Sequence, residues 1–137
     1  MKKIILIAGI VLVLVLGVAA GLYFFVFSKA GEAEKPIVYL EFPLDEMYSN
    51  IADPGKILKS RIVIQYTDET LAEKLTSNKT RIVNDINQLY RTKTFEQLSA
   101  PNGQERLRAD ILEQVQEIVE ADSEQITDVL FLDFIVQ

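Results

Sequence analysis

The sequence predicts an α+β domain of order β-β-α-α-β, a small sheet with two helices packed on one face, carried behind a single N-terminal transmembrane helix. Three observations predict it. The chain opens with an unbroken apolar run from Ile4 to Phe27, between Lys3 and Lys29. Its hydrophobic period then changes from two residues in Ile57–Tyr66 to helical spacing after Thr67. Finally, Ile126–Val136 is almost wholly Val, Ile, Leu and Phe.

The Ile4–Phe27 run holds no charge, proline or amide side chain. At about 1.5 Å of rise per residue it spans roughly 36 Å as a helix, enough to cross a hydrocarbon core of about 30 Å with some tilt. Lys2, Lys3 and the α-amino group precede it, whereas Lys29 and Lys35 beyond it are interspersed with Glu32 and Glu34. The expected orientation therefore has residues 1–3 in the cytoplasm and residues 28–137 outside. A cleaved secretory signal is the rival reading, since Val18-Ala19-Ala20 and Ser28-Lys29-Ala30 offer small residues to a peptidase. The apolar part of a signal usually covers about 7 to 15 residues, and this run continues through Leu22–Phe27, so a retained anchor is expected. Within it, Gly17 and Gly21 form a G-x-x-x-G pair beside Ala20. Such a pair lets two helices approach closely, although glycine is also simply frequent in membrane helices.

Residues 28–36 read as a short polar linker ending at Pro36, and 37–137 as one external domain. Ile37–Phe42, β-branched and aromatic and stopped by Pro43, predicts a strand, followed by a loop through Met47, Tyr48 and Asn50. Asp53-Pro54-Gly55 is turn chemistry leading into a second strand. In that strand Leu58, Ile62, Ile64 and Tyr66 share one face and Lys59, Arg61 and Gln65 the other, which predicts a hairpin-like pair with one wet side. Leu71, Leu75, Ile82, Ile86 and Leu89 then form a helical stripe, with Thr67 or Asp68 able to cap it. Ser77-Asn78-Lys79 interrupts the stripe and marks a potential kink in one long helix. Thr94–Leu98 reads as a short capped turn, closed by Ala100-Pro101-Asn102-Gly103. Leu107, Ile111, Val115, Ile118 and Val119 make a second amphipathic helix. The closing strand reads as interior and covered on both faces, with Val129, Phe131, Phe134 and Val136 as structural residues.

Composition narrows the chemistry. The 137-residue chain has no cysteine and no histidine, which removes disulfides, thiolate sites, and the commonest general base and transition-metal ligand. No calcium-loop spacing and no partnered S-x-x-K motif is present, so no catalytic residue, metal or cofactor is assigned. Residues 36–137 carry a net charge of −8, which disfavours nucleic acid and anionic headgroups as partners. Asp128 and Asp133 lie five apart in the closing strand and are expected on opposite faces. Glu113, Glu117, Glu120 and Glu124 form a row suited to Ca²⁺ or a basic partner, but a solvated face is the stronger reading. Lys79, Arg81, Arg106 and Arg108 flank expected helix starts and could hold an anion, although pairing with the abundant acids is favoured.

Several segments together carry a resemblance. They are Asn50-Ile51, Arg81–Ile86, Arg91–Leu98, the Gly-led Asn102–Arg108, and the closing Val129–Gln137. In this order they resemble the flagellar basal-body-associated FliL family, with Gln116 where Asn is expected and Leu130 where an aromatic is common. The resemblance implies a single-pass protein of the bacterial inner membrane with a periplasmic domain of the stomatin or band-7 (SPFH) type. It implies a homo-oligomeric ring around the flagellar stator units that promotes torque, motility and chemotaxis, with no small-molecule substrate and no catalytic residues to carry over. A tethered adaptor of another envelope machine, such as a secretion or pilus complex, is the alternative, and a released binding protein a third.

Overall fold

The computed structural model describes residues 1–29 and 35–137, except for the side chains of 27–29. Most of the expected linker, 28–36, falls outside the described residues. The chain divides into two units, Met1–Pro36 and Ile37–Gln137. The first is helix α1, Lys2–Lys29, whose described side chains are all exposed. Its Lys2–Val26 portion is long and apolar enough to cross a membrane.

The second unit is the α+β domain. Its elements in order are β1 (Leu40–Pro43), β2 (Met47–Asn50), β3 (Ile57–Tyr66), α2 (Leu71–Thr92), α3 (Phe95–Ser99), α4 (Gly103–Val119) and β4 (Ile126–Val136). All pairing is antiparallel and runs through β3. One edge of β3 receives β1 and β2 in succession, Leu40 opposite Tyr66 and Asn50 opposite Ile57. The other edge receives β4. As the alternation predicts, Leu58, Ile62, Ile64 and Tyr66 are buried, against Leu75, Ile82 and Ile86 of α2 and Leu107, Ile111 and Val115 of α4.

The sheet departs from the sequence reading in three places. The expected first strand begins only at Leu40, because β3 ends at Tyr66 and offers nothing for Ile37–Tyr39 to pair with. The expected loop at Met47–Asn50 is strand β2. It forms a true hairpin with β3, closed by a turn in which Gly55 takes φ 74°, a conformation that costs glycine nothing. Met47 and Ser49 point into the core and Tyr48 and Asn50 out, a short alternation hidden beside the turn residues.

The third correction concerns β4. It is an edge strand, bonded only to β3, and its outer face is not covered. Leu132 and Ile135 are 58% and 47% exposed. The register slips between Arg61 and Ile62, so that Asp133 opposes Arg61 and Phe131 opposes Ile62, with Leu132 as the extra, bulged residue. A bulge reverses the alternation beyond it, which places Val129, Phe131, Phe134 and Val136 all on the helix-facing side. Phe131 and Phe134, three apart in sequence, meet edge to face at 5.2 Å between centroids. The same reversal puts Asp128 and Asp133 on one face, opposite Gln65 and Arg61, rather than on opposite faces as a regular strand requires.

Helix α2 runs without interruption, against the suspected kink at Ser77–Lys79. Its polar residues bond back into the helix instead of breaking it: Thr76 Oγ1 donates to the Ala72 carbonyl at 2.7 Å and Asn78 Nδ2 to that of Lys74 at 2.9 Å. The lead-in to α2 is held by Asp68, whose carboxylate accepts from the Thr70 N–H and hydroxyl and from Gln125 Nε2. Those hydrogen bonds, chiefly from Thr70, keep its pKa below the usual carboxylate value. Thr94 and Gln97 make a reciprocal capping box at α3, as the short capped turn predicts.

One buried polar contact joins sheet to helix. Ser60 on β3 and Tyr90 on α2, both fully buried, share a hydrogen bond of 2.8 Å between hydroxyls. Burial pushes the Tyr90 phenol's pKa up, so it stays neutral and able to bond. Replacing Tyr90→Phe or Ser60→Ala leaves the other hydroxyl without this partner, an expected loss of about 1–3 kcal/mol each. The double variant removes both polar groups and is expected to be more stable than the sum of the single losses allows. Urea unfolding of the domain checks this, and strict additivity would show that the two hydroxyls act independently.

Candidate functional site

The candidate surfaces are three: the glycine pair of α1, the uncovered sheet face, and a cavity between α3 and α4. On α1, a Cβ built at Gly17 or Gly21 meets nothing within 4 Å, so both backbones present open ground to a neighbouring helix.

The uncovered sheet face mixes apolar and charged groups. Arg61 pairs with Asp133 at 2.7 Å across β3 and β4. Lys59 bonds Glu46 at 3.3 Å and lies 5.6 Å from the centroid of the Tyr48 ring, while the Tyr48 hydroxyl donates to the same carboxylate. The Tyr48 hydrogen bond, aided by Lys59, holds the Glu46 pKa below the usual carboxylate value. The group is exposed, so its worth is mainly to fix the Tyr48 ring. Val63 is nearly buried between Pro43 and Leu130, its cross-strand neighbours.

The cavity, about 310 Å³, is lined by Lys93, Gln97, Leu98, Gly103, Arg106 and Asp110, among others. Its cations are engaged. Lys93 Nζ donates to Asp110 at 2.6 Å, and Asn102, with its amide oxygen turned toward Arg106, accepts from that guanidinium at 2.9 and 3.1 Å. Gly103 shapes the wall: a Cβ there would stand 2.3 Å from the Gln97 carbonyl oxygen and 2.5 Å from that of Leu98, so α3 and α4 meet only because the side chain is missing.

The other sequence candidates separate. Lys79 and Arg81 lie in the middle of α2, not at a helix start, and pair with Asp45 at 2.8 Å and Asp85 at 3.9 Å. Arg108 reaches both Glu105 and Asp128. Glu113, Glu117, Glu120 and Glu124 are all exposed, and Glu120 is the left-handed residue that stops α4, at φ 54°. Among the described residues no group of three or more acidic side chains is placed to hold a metal ion.

Comparison with protein-family models matches residues 41–137 to the flagellar basal body-associated protein FliL. The chain belongs to the FliL family. Membership makes it an accessory protein of the flagellar basal body, from a non-catalytic family. No curated protein matches the chain.

In this FliL-family domain two of the resembling segments fall at joints of the fold, while Arg81–Ile86 lies inside α2 and Val129–Gln137 is most of β4. Arg91–Leu98 spans the α2–α3 junction, where the Ala52 N–H donates to the Lys93 carbonyl and the Phe95 N–H to Asp53. Asn102–Arg108 opens α4 on Gly103. Gln116, in the place where Asn is expected, donates to the Ile126 carbonyl at 2.8 Å and secures the start of β4. The longer Gln side chain therefore still meets a backbone need.

The closing strand is proposed to be structural. Cutting after Asp128 removes most of the β3–β4 ladder and the helix-facing side chains of Val129, Phe131, Phe134 and Val136. Full burial of such side chains is worth about 1.5–3 kcal/mol each, against a total stability of roughly 5–15 kcal/mol. The shortened chain is expected to lack a cooperative thermal transition, and retaining one would make the strand peripheral.

Proposed function

We propose that this chain is a non-catalytic accessory of the flagellar motor, anchored in the inner membrane by α1, that oligomerises around stator units and supports torque. The observation that carries the reading is the FliL match across nearly all of the folded domain. The N-terminus is cytoplasmic and the domain periplasmic in this reading, as the Lys2-Lys3 flank suggests. The oligomer is a ring of the stomatin type. Tethering in one membrane raises the effective concentration of copies and partners for each other, so modest contacts suffice.

Neither an ion relay nor catalysis is part of the role. The apolar run holds no ionisable group apart from Tyr23, whereas ion paths in membranes run along carboxylates and similar groups. A ring domain acts instead by differential affinity, binding a stator's active conformation better than its inactive one. Deleting the gene is expected to leave filaments assembled and to reduce motility chiefly at high load, where many stator units must stay engaged. Cross-linking in cells is expected to recover stator subunits and further copies of the chain. Normal torque at every load with no stator recovered would favour an adaptor of another envelope machine.

Self-association through α1 gives a second expectation. Replacing Gly17→Ile together with Gly21→Ile places bulk on the open side of the helix and is expected to weaken oligomers in bilayers. Unchanged assembly would assign oligomerisation to the domain alone.

A further inference from the structure

Ile37, Val38 and Tyr39 are consecutive apolar residues, 67%, 63% and 55% exposed, immediately before β1. Pairing begins at Leu40 opposite Tyr66, and β3 turns away at Thr67, so no strand in the domain is left to cover them. The other strongly exposed aromatic of the domain is engaged, since Tyr48 lies under Lys59 and bonds Glu46. These three are different: they are contiguous, and they follow the apolar helix α1 closely in the chain. Only residues 30–36 separate Lys29, the end of α1, from Ile37, a reach of at most about 29 Å at roughly 3.6 Å per residue.

We infer that Ile37-Val38-Tyr39 docks in the interfacial layer of the membrane that α1 crosses. The chemistry of the segment fits that layer. Tyrosine suits such a boundary with an apolar ring and a polar hydroxyl, and Lys35, two residues before Ile37, carries a stem long enough to keep its charge in water there. Attraction comes from apolar burial and not from charge, because residues 36–137 carry −8 and repel anionic headgroups. The docking is therefore indifferent to salt and to the anionic fraction of the lipid. The inference rests on α1 being a retained membrane helix and is independent of the stator reading.

The chain has no tryptophan, so Tyr39→Trp introduces a single indole, and Tyr48→Trp on the uncovered sheet face gives the comparison. Each full chain is reconstituted in phosphatidylcholine vesicles and titrated with acrylamide or prepared with lipid brominated near the headgroup. Emission at position 39 is expected to be quenched several-fold more by bromolipid than at position 48, and less by acrylamide. Adding Ile37→Ser and Val38→Ser should return position 39 toward the acrylamide-sensitive pattern. Equal acrylamide quenching at both positions, without bromolipid quenching, overturns the docking. So does protection from both quenchers, which would mean that protein covers the segment. Loss of the chain on an alkaline carbonate wash overturns the anchor and the docking together, whereas a retained chain with an exposed indole overturns the docking alone.

Discussion

Everything in the domain depends on β3 being paired along both edges while its even-numbered residues from Leu58 to Tyr66 are buried against the helices. β1, β2 and β4 each have their ladder partner in β3 and nowhere else in the sheet. The helices meet the sheet through the side that Leu58, Ser60, Ile62, Ile64 and Tyr66 present. One polar group in that row, Ser60, is tolerated because Tyr90 comes down from α2 to bond it. A pair of hydroxyls in an apolar interior contributes modestly when made and costs more when half removed. It therefore fixes how α2 sits on the strand more than it adds to overall stability.

That dependence explains which parts of the fold were legible. The two faces of β3, the stripe of α2 and the apolar row of α4 could be read because each is a periodic pattern facing one continuous core. The apolar composition of β4 led to the wrong environment, since a run such as Val129–Phe134 looks the same whether two layers cover it or one. Edge status is not written in a strand's own residues; it follows from the lack of another strand to pair with it. The bulge at Leu132 is equally silent in the sequence, yet it turns Phe131 and Phe134 to the same side and brings Asp133 opposite Arg61. β2 was missed for a third reason. Its four residues carry a Ser and an Asn beside turn chemistry, and only pairing with Leu58 and Ser60 makes them a strand.

The candidate surfaces were legible to a smaller degree. The glycine pair of α1 is visible as spacing, and the structure leaves its surroundings open. Ile37–Tyr39 was visible as β-prone and apolar, but its exposure follows from the length of β3, ten residues that end at Tyr66. Of the basic residues singled out, Lys79, Arg81 and Arg108 are drawn into ion pairs with neighbouring acids, as expected for a chain with such an acidic excess, and Arg106 bonds the Asn102 amide.

The family resemblance rests on segments of a particular physical kind. Thr94–Gln97 forms a capping box, Gly103 occupies a place no Cβ can enter, and Asn50-Ile51 closes β2 where the hairpin loop docks on Lys93. These are points where the backbone leaves little choice of residue. Sites that bind partners are under a different constraint, set by the partner's surface and not by the domain's own geometry. Leu132 and Ile135 on the outer face of β4 are apolar and exposed without any requirement from the domain's own packing. Their exposure follows from β4 being the last strand of the sheet, with a bulge at Leu132 and, among the described residues, no layer on its outer side.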